Sequence, residues 1–139
     1  LSIFHKIQTT MWNGLSPLRD EKSIQGVIDG LNEIKEKDFA SILVPSKSRR
    51  YNMEWRNALE IPNMWNCVMG TAQAALIRKE TRGTHCRTDY PKMDNANWLV
   101  NTIVKNDNGE WTAVTRPIVA TVIPAETVAL MVPQHGLVD

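Results

Sequence analysis

A chain of 139 residues is one ordinary domain, large enough to bury a core without help from disulfides or metals. Its 42% hydrophobic and 22% charged residues are those of a soluble globular protein, and a formal charge of +1 supplies no field that would hold DNA, RNA or anionic lipid. Apolar runs fall far short of the roughly 18 to 20 residues that cross a bilayer, and no secretory signal opens the chain.

Two cysteines, Cys67 and Cys86, are too few for a disulfide framework and form no Cys-x-x-Cys pair, which fits a reducing, cytosol-facing compartment. Starting on Leu1 and not on methionine, the chain reads as an excerpt or a processed product. Five tryptophans are spread along it, which suits several anchors in a core or docking surface better than a single aromatic cage.

Apolar Ile3, Phe4, Ile7, Met11 and Trp12 predict a short helix over 3–12, closed by Asn13-Gly14 with Gly14 in the left-handed conformation. A second helix follows from Asp20 as N-cap to Lys35 and Lys37 near the negative end of its dipole. Ile24, Val27, Ile28, Leu31 and Ile34 make its apolar stripe, and Glu33 and Lys37 its exposed i,i+4 pair. Gly26 and Gly30 each weaken this helix by about 1 kcal/mol relative to alanine, which close approach of a neighbouring helix would explain.

Residues 41–50, with Pro45 and the cations Lys47, Arg49 and Arg50, read as a connector. A long third helix is expected over 52–79, with Trp55, Leu59, Met64, Val68, Thr71, Ala72, Ala75 and Leu76 at helical spacing and a kink or restart at Pro62. Its small-residue stretch 70–75 suits tight packing against a second layer. Beyond Pro91, two β-prone runs at 98–104 and 110–114 flank Asn108-Gly109, a strong hairpin signal. Residues 115–139 read as extended, with a short helix at about 125–131. The expected fold is therefore mainly α: an antiparallel three-helix bundle, spectrin-repeat-like, over 1–92, then a short β-hairpin and an extended tail over 93–139 on the same domain.

The densest chemistry is the segment 78–91, where Arg78, Arg82 and Arg87 alternate with Glu80 and Asp89 around His85 and Cys86. Bidentate arginine–carboxylate pairs would hold an irregular segment against a neighbouring domain. Alternatively, Arg82, His85 and Arg87 would bind a carboxylate or phosphate. A metal or thiolate site is a third reading, but adjacent His85 and Cys86 match no usual zinc spacing.

Arg78-Lys79-Glu80-Thr81-Arg82-Gly83-Thr84-His85, then Arg87-Thr88-Asp89-Tyr90-Pro91 and Asp94 with Asn97-Trp98-Leu99, resembles a signature near the carboxy terminus of the succinate dehydrogenase/fumarate reductase flavoproteins. Thr81 and Thr84 stand where serine and alanine are usual. The resemblance covers about residues 1–120 and includes Arg116-Pro117. L-aspartate oxidase shares part of the motif, and adenylylsulfate reductase is more distant. A stand-alone helical interaction module is the alternative outside this class.

The resemblance implies an FAD-dependent oxidoreductase passing hydride between flavin and a dicarboxylate, with the catalytic groups in an FAD domain and a capping domain. This chain has no Gly-x-Gly-x-x-Gly fingerprint. No catalytic, cofactor-binding or metal residue is therefore carried over, and FAD is expected only in the full-length subunit. Arg78, Glu80, Arg82, His85, Arg87, Asp89 and Tyr90 become candidates for docking on the FAD domain. Further implied partners are an iron–sulfur subunit and, for the isolated domain, a second copy of itself. Nucleic acid is not among them. The implied location is cytoplasmic, at the inner face of the cytoplasmic membrane through partner subunits.

Overall fold

The computed structural model describes residues 2–119, 122–124 and 126–127. Helix α1 (Ser2–Leu15) buries Ile3, Ile7, Gly14 and Leu15. Met11 and Trp12, expected on the core face, are exposed, because the buried stripe continues by steps of three and four through Thr10 to Gly14. Gly14 lies inside the helix and not in a left-handed turn. A Cβ there would stand 2.4 Å from both the Ser23 carbonyl oxygen and Val27 Cγ2, so glycine is required by close approach.

A two-residue strand β1 (Leu18–Arg19) precedes helix α2 (Glu21–Asp38). Asp20 caps α2 by accepting from the Ser23 N–H at 2.7 Å, and Ser23 Oγ accepts from the Asp20 N–H in return, completing a capping box. All five predicted stripe residues are buried, and Lys37 meets Glu33 at 2.6 Å. The ion pair Lys6–Asp38, the contact of Thr10 with Gly30, and that of Gly14 with Ser23 and Val27 descend α1 while climbing α2 in reverse. Gly30 does meet a neighbouring helix, but Gly26 faces open space, so close approach explains only one of the two.

After a 3-10 turn at Phe39–Ser41, an exposed connector leads to helix α3 (Met53–Ile77), capped by Asn52 accepting from the Trp55 N–H. The helix passes through Pro62 without a restart. Pro62 is exposed and Ala58, whose carbonyl loses its partner, is only half-buried, so water can reach that oxygen. The buried face is Ile61, Trp65, Val68, Met69, Ala72 and Ala75, whereas Trp55 and Leu59 are exposed. The stripe thus starts at Ile61 and not at Trp55. Trp65 anchors α3 to α2: its Nε1–H donates to the Leu31 carbonyl at 2.7 Å, and Lys35 lies over its ring.

Beyond α3, strand β2 (Cys86–Arg87) pairs in parallel with β1, and a single turn α4 (Asn95–Trp98) is capped by Asp94. Strands β3 (Val100–Asp107) and β4 (Glu110–Pro117) form the antiparallel hairpin that Asn-Gly foretold. Asn108 and Gly109 have φ of 53° and 101°, the signs of a type I′ turn. Trp111 of β4 lies against the small face of α3, with a ring atom 3.3 Å from where a Cβ on Gly70 would stand. The described fold is mainly helical with one small antiparallel sheet. The extended tail and the short helix expected near 125–131 lie almost wholly outside the described residues.

Candidate functional site

The segment 78–98 folds inward around two buried charges of opposite sign. Glu80 is fully buried and its carboxylate is saturated by N–H donors. Arg78 donates to Oε1, Arg82 spans both oxygens at 2.8 and 3.0 Å, and the Asp94 N–H reaches Oε2 at 3.0 Å. Arg78 extends to the carbonyls of Trp98 and Val100 and to Thr102 Oγ1, so it ties α4 and β3 to the end of α3. Arg82 also donates to Asn95 Oδ1 at 2.7 Å.

Arg87 is likewise fully buried. Its Nε and Nη2 grip Asp89 at 2.6 Å each, while Nη1 donates to the carbonyls of Ala75, Leu76 and Arg78 at the end of α3. Asp89 in turn accepts the Glu21 N–H at 3.1 Å in the first turn of α2. The guanidinium therefore sits at the negative end of one helix and the carboxylate at the positive end of another. This grip holds the Asp89 carboxyl at about 2, well below the usual carboxylate range, with the Glu21 N–H adding to it.

His85 is half-buried, and its Nε2 lies 3.2 Å from the Arg78 carbonyl. A carbonyl only accepts, so Nε2 carries the proton. Burial lowers the His85 pKa, with the cations Arg19, Arg87 and Arg78 adding to that direction. Gly83, at φ 57°, turns the chain between Arg82 and His85, whose backbones exchange hydrogen bonds of 2.9 and 3.0 Å. It shapes a tight turn and not the exit from α3, which ends six residues earlier at Ile77. Tyr90 is half-buried beneath the Arg87 guanidinium, 5.0 Å from its ring centroid, with Lys79 on the same ring at 5.9 Å.

All seven motif candidates therefore come together, but Glu80 and Arg87 face the interior. Three further residues complete the cluster. Thr81 Oγ1 accepts from the Arg87 N–H and donates to the Tyr90 carbonyl, buried Asn95 meets Arg82, and Arg19 donates to the Ser16 and Thr84 carbonyls. Thr81 lay within the motif. Nothing in the sequence announces that Arg19 reaches Thr84 or that Asn95 meets Arg82, because those partners are distant along the chain.

Chemically the cluster is a closed set of charge-assisted hydrogen bonds. Arg82 and Arg87, invoked with His85 for an external carboxylate or phosphate, are committed to Glu80 and Asp89. No group of three His, Cys, Asp or Glu residues stands close enough to hold a metal among the described residues. A groove of 660 Å³ between α1 and α2 is lined by no residue of this segment and carries the ion pairs Lys6–Asp38 and Glu33–Lys37 on its rim.

Fold and cluster together define a small helical domain closed at one end by a buried arginine–carboxylate lock. The chain belongs to the fumarate reductase flavoprotein C-terminal family, whose model matches residues 4–131, beyond the motif-based limit near residue 120. The Haemophilus influenzae fumarate reductase flavoprotein subunit is 33% identical over 102 residues, 73% of this chain and 17% of that relative. The Rickettsia bellii succinate dehydrogenase flavoprotein subunit is 29% identical over 126 residues, 90% of this chain and 21% of that relative.

Among solved structures, E. coli quinol fumarate reductase FrdA superposes with a TM-score of 0.81 at 25% identity, over 89% of this chain and 22% of that one. Mycobacterium smegmatis Sdh1 in complex with UQ1 gives 0.79 at 31%, over 89% and 21%. The chain thus spans only 17–22% of the length of these proteins. Among the described residues no helix is long and apolar enough to cross a membrane.

Proposed function

We propose that this chain is the C-terminal helical domain of an FAD-dependent oxidoreductase subunit acting between succinate and fumarate, and that it buttresses the FAD domain without reacting itself. In this reading α1, α2 and α3 form an antiparallel three-helix bundle within residues 1–92. Residues 93–139 complete the same domain. The reversed order of contacts between α1 and α2 supports the first point, and the packing of Trp111 on Gly70 the second.

The observation that carries the reading is the Glu80-centred lock. It fixes an irregular segment so firmly that His85, Arg82 and Tyr90 present a defined, half-buried surface to a neighbour. Glu80 and Arg87 hold that surface from behind. FAD would be bound by the rest of the subunit, where it accepts and releases hydride. This chain contributes the rigid face on which that domain rests. Partner subunits, an iron–sulfur protein among them, would place the assembly at the cytoplasmic face of the membrane. Isolated, the same face would be free to pair with a second copy.

The test is flavin retention in the full subunit. Arg82→Ala and His85→Ala should each release flavin on gel filtration while α-helical circular dichroism persists. Full flavin occupancy and unchanged thermal stability in both variants would remove the docking role.

A further inference from the structure

We infer that the connector between α2 and α3, together with the first turns of α3, is a docking surface for an acidic surface on a separate protein chain. Between residues 41 and 53 the sequence carries three cations, Lys47, Arg49 and Arg50, and no carboxylate. The whole chain is nearly neutral, so this excess is local. Six other cations, Lys6, Lys37, Arg56, Arg78, Arg82 and Arg87, are ion-paired. Among the described residues, the side chains of Lys47, Arg49 and Arg50 have no ion pair or hydrogen bond.

These cations stand on an organised loop. Ser48 Oγ accepts from the Arg50 N–H and donates to the Arg50 carbonyl, both at 3.2 Å. Asn52 Nδ2 donates to the carbonyls of Ser46 and Ser48 at 3.0 and 2.8 Å while its Oδ1 caps α3. Tyr51 holds a φ of 54°, uncommon for an aromatic residue, and is 92% exposed. In the same stretch Leu43, Met53, Trp55 and Leu59 are exposed too, the last two one turn apart on α3.

Exposed Tyr, Trp, Met and Arg are the residue types enriched at protein interfaces and their hot spots. Unpaired cations rimming them call for carboxylates opposite. Three unpaired cations are few for an anionic bilayer, where each contributes only about 1 kcal/mol, and fewer still for a nucleic acid. The choice of a separate chain rests on the function proposed above. Helix α3 has 25 residues and so is about 37 Å long. It puts this patch at the opposite end from the Arg78–Trp98 face assigned to the FAD domain.

The test uses the full subunit in its assembled state, with Tyr51→benzoylphenylalanine as a photo-crosslinker and mass spectrometry of the crosslinked peptide. The expected product joins Tyr51 to a stretch of another chain rich in Asp or Glu. Arg49→Glu/Arg50→Glu should lower its yield at least tenfold, Arg49→Ala/Arg50→Ala should lower it less, and Lys in place of the partner carboxylates should restore it with the Glu variant. Bound flavin per subunit should stay unchanged, which separates this surface from the FAD-domain face. A crosslink to lipid, nucleic acid or the same subunit overturns the proposal, as do no crosslink, an unaffected yield, or loss of flavin.

Discussion

Arg87 and Asp89 are two residues apart in sequence, yet their pair joins the end of α3 to the start of α2. The guanidinium is out of contact with water and supplies five N–H···O contacts, two to Asp89 and three to carbonyls of the α3 terminus. Removing it would leave the α3 carbonyls short of donors and untie Asp89 from that helix end. Arg87→Ala should therefore destabilise the chain by about 2–4 kcal/mol, chiefly because the carbonyls at the end of α3 lose their buried donor while the partly exposed Asp89 can turn to water. Arg87→Lys keeps the charge but cannot grip both carboxylate oxygens while reaching the carbonyls, so it should recover only a minor part. Urea denaturation followed by circular dichroism reads both. Equal stability of wild type and Arg87→Ala would show that the lock does not hold the helix ends.

The same pair sets a pH dependence in acid. Asp89 falls from its ordinary 3.8 to about 2 because Arg87 and the Glu21 N–H favour the ionised form. A depressed carboxyl contributes stability above its unfolded value and loses it as pH falls through the folded one. The urea midpoint should thus drop between about pH 4 and pH 2, and Asp89→Asn should flatten that slope. His85 adds a milder step near neutrality. Its pKa is lowered from 6.5, so the folded state resists protonation, and stability should decline as pH falls below 6.5. His85→Gln should remove only this second step. A 15N-resolved titration should find the proton on Nε2 and a midpoint below 6.5.

The two helical glycines that face different surroundings give a stability test of the α1–α2 contact. At Gly14 an added Cβ would stand 2.4 Å from backbone oxygen, and backbone cannot step aside cheaply. Gly14→Ala should cost about 1–3 kcal/mol by overpacking. At Gly26 nothing lies within 4 Å, so Gly26→Ala should stabilise by roughly 0.5–1 kcal/mol through helix propensity alone. Thermal melts of the two variants should move in opposite directions.

How far such contacts were legible depended on whether their cause was local. Helix α2 is legible with its N-cap, stripe and ion pair, because Asp20 and the spacing of Ile24 to Ile34 act within a few residues. The Asn108-Gly109 turn is local in the same sense. Helix α1 differs from its sequence pattern at Met11 and Trp12 because two adjacent apolar residues fit a stripe as well as Gly14 and Leu15 do, and only α2 decides between them. On α3 the large residues Trp55 and Leu59 masked a core face that starts at Ile61, where the neighbouring helices begin to cover it. In the charged segment, alternating arginines and carboxylates announced pairing. They could not announce that Glu80 and Arg87 point inward, since the groups that pull them there, the Asp94 N–H on Glu80 and the α3 carbonyls under Arg87, lie outside the alternating pattern.

Trp111 supplies the last prediction. Its ring fills the space over Gly70 and lies 6.3 Å from Trp65, so the indole body is well placed in the aromatic cluster. Its Nε1–H, however, is buried without a hydrogen-bond partner. An unmet buried donor forfeits its hydration and typically costs about 1–3 kcal/mol, whereas an apolar ring of similar shape carries no such penalty. Trp111→Phe removes the donor and part of the packed area together, and the two effects oppose each other. The variant should therefore lie within about 1 kcal/mol of wild type. Trp111→Ala, which removes the packing as well, should lose about 3–5 kcal/mol. The comparator is Trp65→Phe, where the lost N–H is bonded to the Leu31 carbonyl, so this change should cost clearly more than Trp111→Phe. If the two Phe variants were equally destabilised, the Trp111 donor would have a partner in solution.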